Sequence, residues 1–353
     1  LRQSIALLSA GLAFRGGGSL RNEALARTAA LISEVILPDG GAMDRSPKTL
    51  IDLLADLLPL RAAMEASRIA IPQGLNAAIE RALPMLRMLC HGDQGLAVFH
   101  GVEQTRAEMV RAIFEQDEVR GQPLSQAPHS GYCRMEEGHS AVIVDCGAAS
   151  ICDSPLAFEF SDGPQRIAGS CGVPANASPD WLAAARSSAA HSTLQWDGTE
   201  NGSRAAAELV SSSEGSLVKA RNECSEFTHA RELFLASSGH DFRGEDRLEG
   251  LNAPADFVIR FHLSPSIKAS ANRKGEAMLL LPSKDAWQFS VRGGAMALEE
   301  SIYLAAPTGP RRCQQIVIRG NTEAGPKINW AFRKLERQPR RNDHTAASPP
   351  LPF

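Results

Sequence analysis

Several features that would identify common protein classes are missing from this sequence. It has no apolar run near the roughly 18 residues of a membrane-spanning helix, and no basic-then-apolar secretory leader opens it. The seven cysteines are scattered, odd in number and without a Cys-x-x-Cys pair, which argues against a disulfide scaffold and a zinc ribbon. The chain begins at Leu1, directly in an apolar-periodic segment without a cap, so we expect the native protein to begin upstream.

Charge of either sign is not in large excess. The chain has 37 basic and 40 acidic residues, a formal net charge of −3 and a pI near 6.3. The global field therefore gives no reason to expect nucleic acid or an acidic membrane surface as a partner. An anionic polymer would have to bind in a local basic groove.

The familiar nucleotide and hydrolase motifs are also missing. There is no P-loop, no G-x-G-x-x-G after a strand, no G-x-S-x-G elbow and no H-E-x-x-H. These absences remove the common nucleotide-binding, α/β-hydrolase and zinc-protease interpretations.

The first third of the chain has helical periodicity. Asn22 is a candidate cap for a helix that ends near Ile36, where "LPDGG" supplies the stop. Ser46 and Pro47 have the residue types expected at the N-cap and first position of a leucine-rich helix. Two further helices are predicted over about 75–90 and 104–117, and Pro59 and Pro84 are expected to kink their helices. The pattern predicts antiparallel helices.

After about residue 120 the period changes from 3.6 to 2. Hairpins are predicted with turns at Glu137-Gly138 and Asp162-Gly163, and more than ten short strands follow without intervening helices. This pattern indicates a large antiparallel β-sandwich. We predict a helical domain over residues 1–120, a β-sandwich over 121–336 and a polar, Pro-rich disordered tail over 337–353.

An ordered set of segments resembles the bacterial heparinase II/III family of polysaccharide lyases and lyase-like proteins. Its pieces are "LPDGGAMDRSPKTLIDLLADLLPLRAAM", "PMLRMLCHGDQGLAVFHG", "PHSGYCRMEEG", "LAFEFSDGPQRIAGSCG", "AARSSAAHSTLQWDGT", "GEDRL", "RFHLSP" and "QQIVIRG". They follow the family's order from residue 1 to about 335. The resemblance implies the C-terminal part of an (α/α) toroid followed by a large antiparallel β-sandwich.

The resemblance also implies a reaction, β-elimination of a polysaccharide that contains uronic acid. This chemistry neutralises the uronate carboxylate, removes the C5 proton and assists departure of the 4-linked oxygen, so it needs a cation or donors and a His or Tyr base. No nucleotide or redox cofactor is required. The implied partner is an anionic polysaccharide or oligosaccharide.

Four residues match the family's site positions. His191 and Tyr132 are the expected catalytic residues, and Arg186 and Arg45 are expected to meet the substrate's carboxylate. Three of them also have a structural interpretation: His191 as a histidine hydrogen-bonded within a sheet, Arg45 as a brace for the loop before a helix, and Tyr132 as a residue that fills the sandwich face. For His262, which alternates with apolar residues, the structural interpretation is preferred.

The chain departs from the family pattern at three positions. Cys152 stands where a metal-binding His is expected, Ser170 where relatives have Asn, and Ala42 where many have His. Cys152 and His191 are a possible but incomplete zinc site, expected to bind weakly if at all. The toroid's Asn/His pair that grips the uronate is expected upstream of Leu1. The sequence therefore predicts a polysaccharide lyase fragment, with a non-catalytic carbohydrate-binding or structural relative as the alternative.

Overall fold

The computed structural model describes residues 1–14, 17–100, 102–117, 121–148, 151–174, 176–196, 204–325 and 327–336. The tail predicted over 337–353 lies outside the described residues, as do residues 118–120 at the predicted domain boundary.

The first part of the described chain is helical. Five helices precede the strands: α1 (Arg2–Ala13), α2 (Gly18–Val35), α3 (Pro47–Ala66), α4 (Gln73–Met88) and α5 (Ala107–Phe114). They pack as neighbours in the pairs α1 with α2 and α3 with α4. A complete toroid is not present among the described residues. None of the described helices is both long enough and apolar enough to span a membrane.

Local sequence explains where α3 begins but not where α2 does. The Ser46 hydroxyl accepts a hydrogen bond from the Thr49 amide at 3.3 Å, with Pro47 in the first turn, as predicted. Asn22, by contrast, lies inside α2, whose N-cap is Gly17. That cap prediction is wrong because a residue type favourable at a cap also occurs within helices, where packing decides the boundary.

The remainder of the chain folds into two packed antiparallel sheets. The first, here called the helix-side sheet, has nine described strands: β1 (Gln126–Ala127), β2 (Tyr132–Glu137), β3 (Ser140–Asp145), β4 (Phe158–Asp162), β5 (Gln165–Gly169), β6 (Leu194–Trp196), β11 (Asp256–Leu263), β15 (Ala295–Tyr303) and β16 (Arg311–Asn321). Its order is β1-β2-β3-β4-β5-β11-β16-β15, with β6 paired to β11.

The second sheet, here called the outer sheet, has eight described strands in the order β12-β13-β14-β17-β10-β9-β8-β7. These are β7 (Arg204–Ser212), β8 (Gly215–Glu223), β9 (Thr228–Ala236), β10 (Asp241–Glu249), β12 (Lys268–Ala271), β13 (Ala277–Leu280), β14 (Ala286–Arg292) and β17 (Lys327–Leu335). Both predicted hairpins form, and Gly138 and Gly163 adopt the positive φ that their turns need.

Helical structure also occurs within the β region, contrary to the expectation of uninterrupted strands. A helix α6 (Pro179–Arg186) and a 3₁₀ turn (Ser188–Ala190) lie between β5 and β6. Ser178 caps α6 through the Trp181 amide at 3.4 Å, and Pro179 follows it in the first turn. The same Ser-Pro signal that predicted α3 was present here.

The helix-side sheet packs against an apolar core on each face. Between the sheets lies an aromatic core that includes Phe158, Phe242, Trp330 and Phe332. On the opposite face, Tyr132 and Ile143 share an apolar cluster with the helices. The predicted division at residue 120 stays a prediction, since helices and sheet have this second core in common.

Candidate functional site

His191 lies between the 3₁₀ turn and β6, against the face of the helix-side sheet, and its side chain is fully buried. Its Nε2 is 3.1 Å from the Ala185 carbonyl oxygen, and its Nδ1 is 3.0 Å from Ser170 Oγ. Because a carbonyl oxygen only accepts, Nε2 carries the proton, and Nδ1 of the neutral ring accepts from the Ser170 hydroxyl. Both ring nitrogens are therefore engaged within the protein.

The surroundings of His191 favour its neutral form. Burial, followed by the charge of His100, lowers the pKa of His191 to about 4. A general base must come within hydrogen-bond reach of the proton that it removes. In this arrangement the His191 side chain is fully buried.

Tyr132 begins β2 and is also buried, at 1% exposure. Its hydroxyl donates to the Arg45 carbonyl oxygen at 2.7 Å, and its ring packs against Phe99 with the centroids 5.7 Å apart. Burial raises the pKa of Tyr132 well above its ordinary value. The phenol is thus a hydrogen-bond donor to the loop before α3.

Arg45 connects this loop to the sheet. Its guanidinium donates to the carbonyl oxygens of Ser130 and Ala148 and forms an ion pair with Asp145. Its side chain is 10% exposed, and its Cζ lies 5.4 Å from the centre of the Tyr132 ring. All these contacts are the bracing contacts that the structural interpretation of Arg45 anticipates.

Asp145 and His100 belong to the same cluster and were missed by sequence reasoning. Asp145 ends β3 and is 2% exposed; its Oδ2 lies 3.1 Å from His100 Nε2. Burial alone would raise the pKa of Asp145, but the charges of Arg45 and His100 hold it below its usual value. The available signal was an acidic residue that closes the apolar strand "SAVIVD".

Arg186 and Cys152 differ in their exposure to solvent. Arg186 ends α6 with an exposed side chain, and its carbonyl oxygen accepts from the Asp153 amide at 2.9 Å. Cys152 is 2% exposed, and burial raises the pKa of its thiol to about 12. Zinc binds the thiolate rather than the thiol.

The pair Cys152 and His191 fits zinc poorly as placed, because one is a protonated thiol and the other has both nitrogens engaged. Within the described ranges, no group of three or more His, Cys, Asp or Glu side chains is arranged to hold a metal ion. That this pair binds zinc weakly, if at all, stays a prediction, which metal analysis of the purified protein would test.

A second polar cluster lies farther along the same face. His91 contacts Glu159 at 3.0 Å, and Arg166 pairs with Asp93 at 2.8 Å. A cavity of about 210 Å³ lies beside them, lined also by His262 and Tyr303. His262 resembles His191: its Nε2 donates to the Ala189 carbonyl oxygen at 2.9 Å, and its Nδ1 contacts Ser301 Oγ at 2.8 Å.

Comparison with known proteins identifies the family. Residues 119–331, more than half of the chain, match the family model for the heparinase II/III-like C-terminal domain. The chain belongs to this family. It is 32% identical to FtsZ-localized protein C of Caulobacter vibrioides, over 92% of this chain and 63% of that protein.

Solved lyases share the fold of this family member. A heparan sulfate lyase of Pedobacter heparinus superposes with a TM-score of 0.80 at 14% identity, over 95% of this chain and 60% of the lyase. A heparinase III superposes with a TM-score of 0.81 at 12% identity, over 94% and 59%. The chain thus spans about three fifths of the length of these relatives. The fold predicted from sequence, helices followed by a large antiparallel sandwich, is confirmed.

Proposed function

We propose that this protein is a non-catalytic member of the heparinase II/III-like family that acts by associating with other macromolecules. The observation that carries the proposal is the enclosure of His191 and Tyr132, which are 0% and 1% exposed and hydrogen-bonded to protein atoms. Additional chain packed against this region would cover these residues further and would not expose them. The substitutions at Cys152 and Ser170 support the same conclusion.

The similarity to FtsZ-localized protein C suggests what the protein associates with. That relative is 32% identical over 92% of this chain, whereas the solved lyases are 12–14% identical. We extend to this chain the association that the relative's name describes, localisation with FtsZ. A fluorescent fusion of the whole protein should co-localise with FtsZ in the organism that encodes it, and a uniform distribution would contradict this extension.

The test of the non-catalytic proposal is a lyase assay on the whole protein. A panel of glycans that contain uronic acid is incubated with it, and the ultraviolet absorbance of unsaturated uronate is followed, with the Pedobacter heparinus lyase as positive control. We expect no signal above that of the His191→Ala variant. Turnover that vanishes in a folded His191→Ala protein would overturn the proposal.

That outcome would favour a second candidate function, lyase activity. It is favoured by the close superposition on heparinase III and by the presence of His, Tyr and Arg at family positions. His191 and Tyr132 would then exchange protons with an anionic polysaccharide, and Arg186 and Arg45 would bind its carboxylate. This candidate requires a rearrangement that exposes His191.

A further inference from the structure

The exposed face of the outer sheet has a groove of about 450 Å³, lined by residues of β10, β14 and β17. The strand register places lining residues around Ala331. On β17, Ala331 lies between Arg243 of β10 and Ser290 of β14, and it is flanked along its own strand by Asn329 and Arg333. The small Ala331 side chain is thus surrounded on this face by residues that line the groove. We call this feature the outer-sheet groove.

The outer-sheet groove is lined by four exposed cations, Arg243, Arg292, Lys327 and Arg333. Two carboxylates lie nearby but outside its lining: Asp241 pairs with Arg243 and Arg333, and Glu245 pairs with Lys327. Four positive charges against two negative charges leave a local excess of two.

Arg292 carries much of that excess. In the part of the chain that the structure describes, it forms no ion pair. Its neighbour across the strand pair is Asn329, a neutral residue. The chain as a whole is weakly acidic, so the groove supplies the local basic surface that an anionic polymer requires.

The remaining lining indicates what kind of anion fits. Ser290 and Asn329 offer neutral hydrogen-bonding groups between the cations, and the other two lining residues, Val291 and the buried Trp330, are apolar. The exposed large apolar side chains of the described residues lie elsewhere, and none of them lines the groove. Protein partners are usually held by buried aromatic or aliphatic anchors. A ligand that combines charge with hydroxyl groups matches this polar surface better.

We propose that the outer-sheet groove binds an anionic polysaccharide. Carboxylate or sulfate groups pair with Arg292 and Arg333, which can donate two parallel hydrogen bonds each, while Ser290 and Asn329 bond to ring hydroxyls. This site lies on the sheet opposite the His191 cluster. It therefore does not depend on whether that cluster is catalytic, or on association with FtsZ.

The experiment measures binding of a heparin-derived octasaccharide to the whole protein by isothermal titration calorimetry. The double variant Arg292→Gln/Arg333→Gln removes two cations of the groove. The matched control, Arg221→Gln/Arg319→Gln, removes two exposed cations outside it, so both proteins have the same net charge. We expect Kd to rise at least about tenfold in the first variant and less than about twofold in the second.

Two further probes separate glycan recognition from simple charge attraction. Polyglutamate of equal charge should bind at least about tenfold more weakly than the octasaccharide, and neutral dextran should not bind. Equal weakening by both double variants, equal binding of polyglutamate, or no octasaccharide binding to the unaltered protein would each overturn the proposal. Thermal melts of the variants establish that all four substitutions leave the protein folded.

Discussion

The helix-side sheet and the exposed face of the outer sheet use polar residues in opposite ways. On the helix-side sheet, charged and titratable groups such as Asp145, Arg45 and His191 are buried, and each contacts protein atoms. On the outer sheet, Arg243 and Arg247 lie in solvent within loose networks of ion pairs. Buried polar groups are costly unless paired, whereas exposed pairs contribute little. We therefore expect the buried groups to contribute more to stability than the exposed pairs do.

Lowering the pH should produce the largest loss of stability, because it acts on the buried histidines. Burial lowers the pKa of His191 to about 4 and of His262 to about 3. In the folded protein both rings therefore stay neutral at pH values at which the unfolded chain already protonates them. Between pH 6.5 and these pKa values the unfolded chain binds more protons than the folded protein does. The contribution of the two histidines to stability is therefore complete above pH 6.5 and decreases as the pH falls. A shift of this size corresponds to about 3 kcal/mol for His191 alone.

Urea unfolding at pH 7.5, 6, 5 and 4 measures this loss. The midpoint should fall steadily below pH 6.5, and the variant His191→Gln should show a shallower decline. A midpoint that stays constant down to pH 4 would mean that these histidines are already accessible to solvent protons in the folded state.

Removing one carboxylate from each sheet compares the two environments directly. Asp145→Asn leaves the buried Arg45 guanidinium without its counter-charge and should cost about 3–5 kcal/mol in the free energy of unfolding. Asp241→Asn on the outer sheet also removes an arginine partner, but Arg243 remains 54% exposed, and the cost should stay below about 1 kcal/mol. Chemical denaturation of both variants measures the contrast, and similar losses would refute it.

His191→Ala tests whether the histidine supports the fold. It leaves the Ser170 hydroxyl and the Ala185 carbonyl oxygen without partners in a buried site, so we expect a loss of about 2–3 kcal/mol. The melting temperature should fall accordingly. His240→Ala, which replaces an exposed histidine in the β9–β10 turn, is the control and should change it little. An unchanged melting temperature for His191→Ala would contradict this structural role and favour the catalytic interpretation of His191.

The sequence predicted the architecture more fully than the site, for a physical reason. Periodicity, Ser46-Pro47 and the glycine turns are local signals, and local signals placed α3 and both hairpins correctly. Burial of a site residue depends on chain distant in sequence: Arg45 meets Asp145 across 100 positions, and His191 is enclosed by α6. Motif matching therefore singled out these residues, but it contained no information about their access to solvent.

The smallest expected effect concerns Arg247, at the centre of the outer sheet's exposed network. It contacts Glu232 at 2.8 Å and Glu245 at 2.9 Å, and its side chain is 37% exposed. Water and salt screen such pairs, so Arg247→Gln should reduce the free energy of unfolding by less than about 1 kcal/mol, and 1 M NaCl should remove most of the difference. Denaturant titrations of both proteins at low and high salt measure this. A loss as large as that of Asp145→Asn, insensitive to salt, would mean that the exposed face of the outer sheet depends on its charges as much as the buried cluster around Arg45 does, and would remove the distinction between a structural and a binding face.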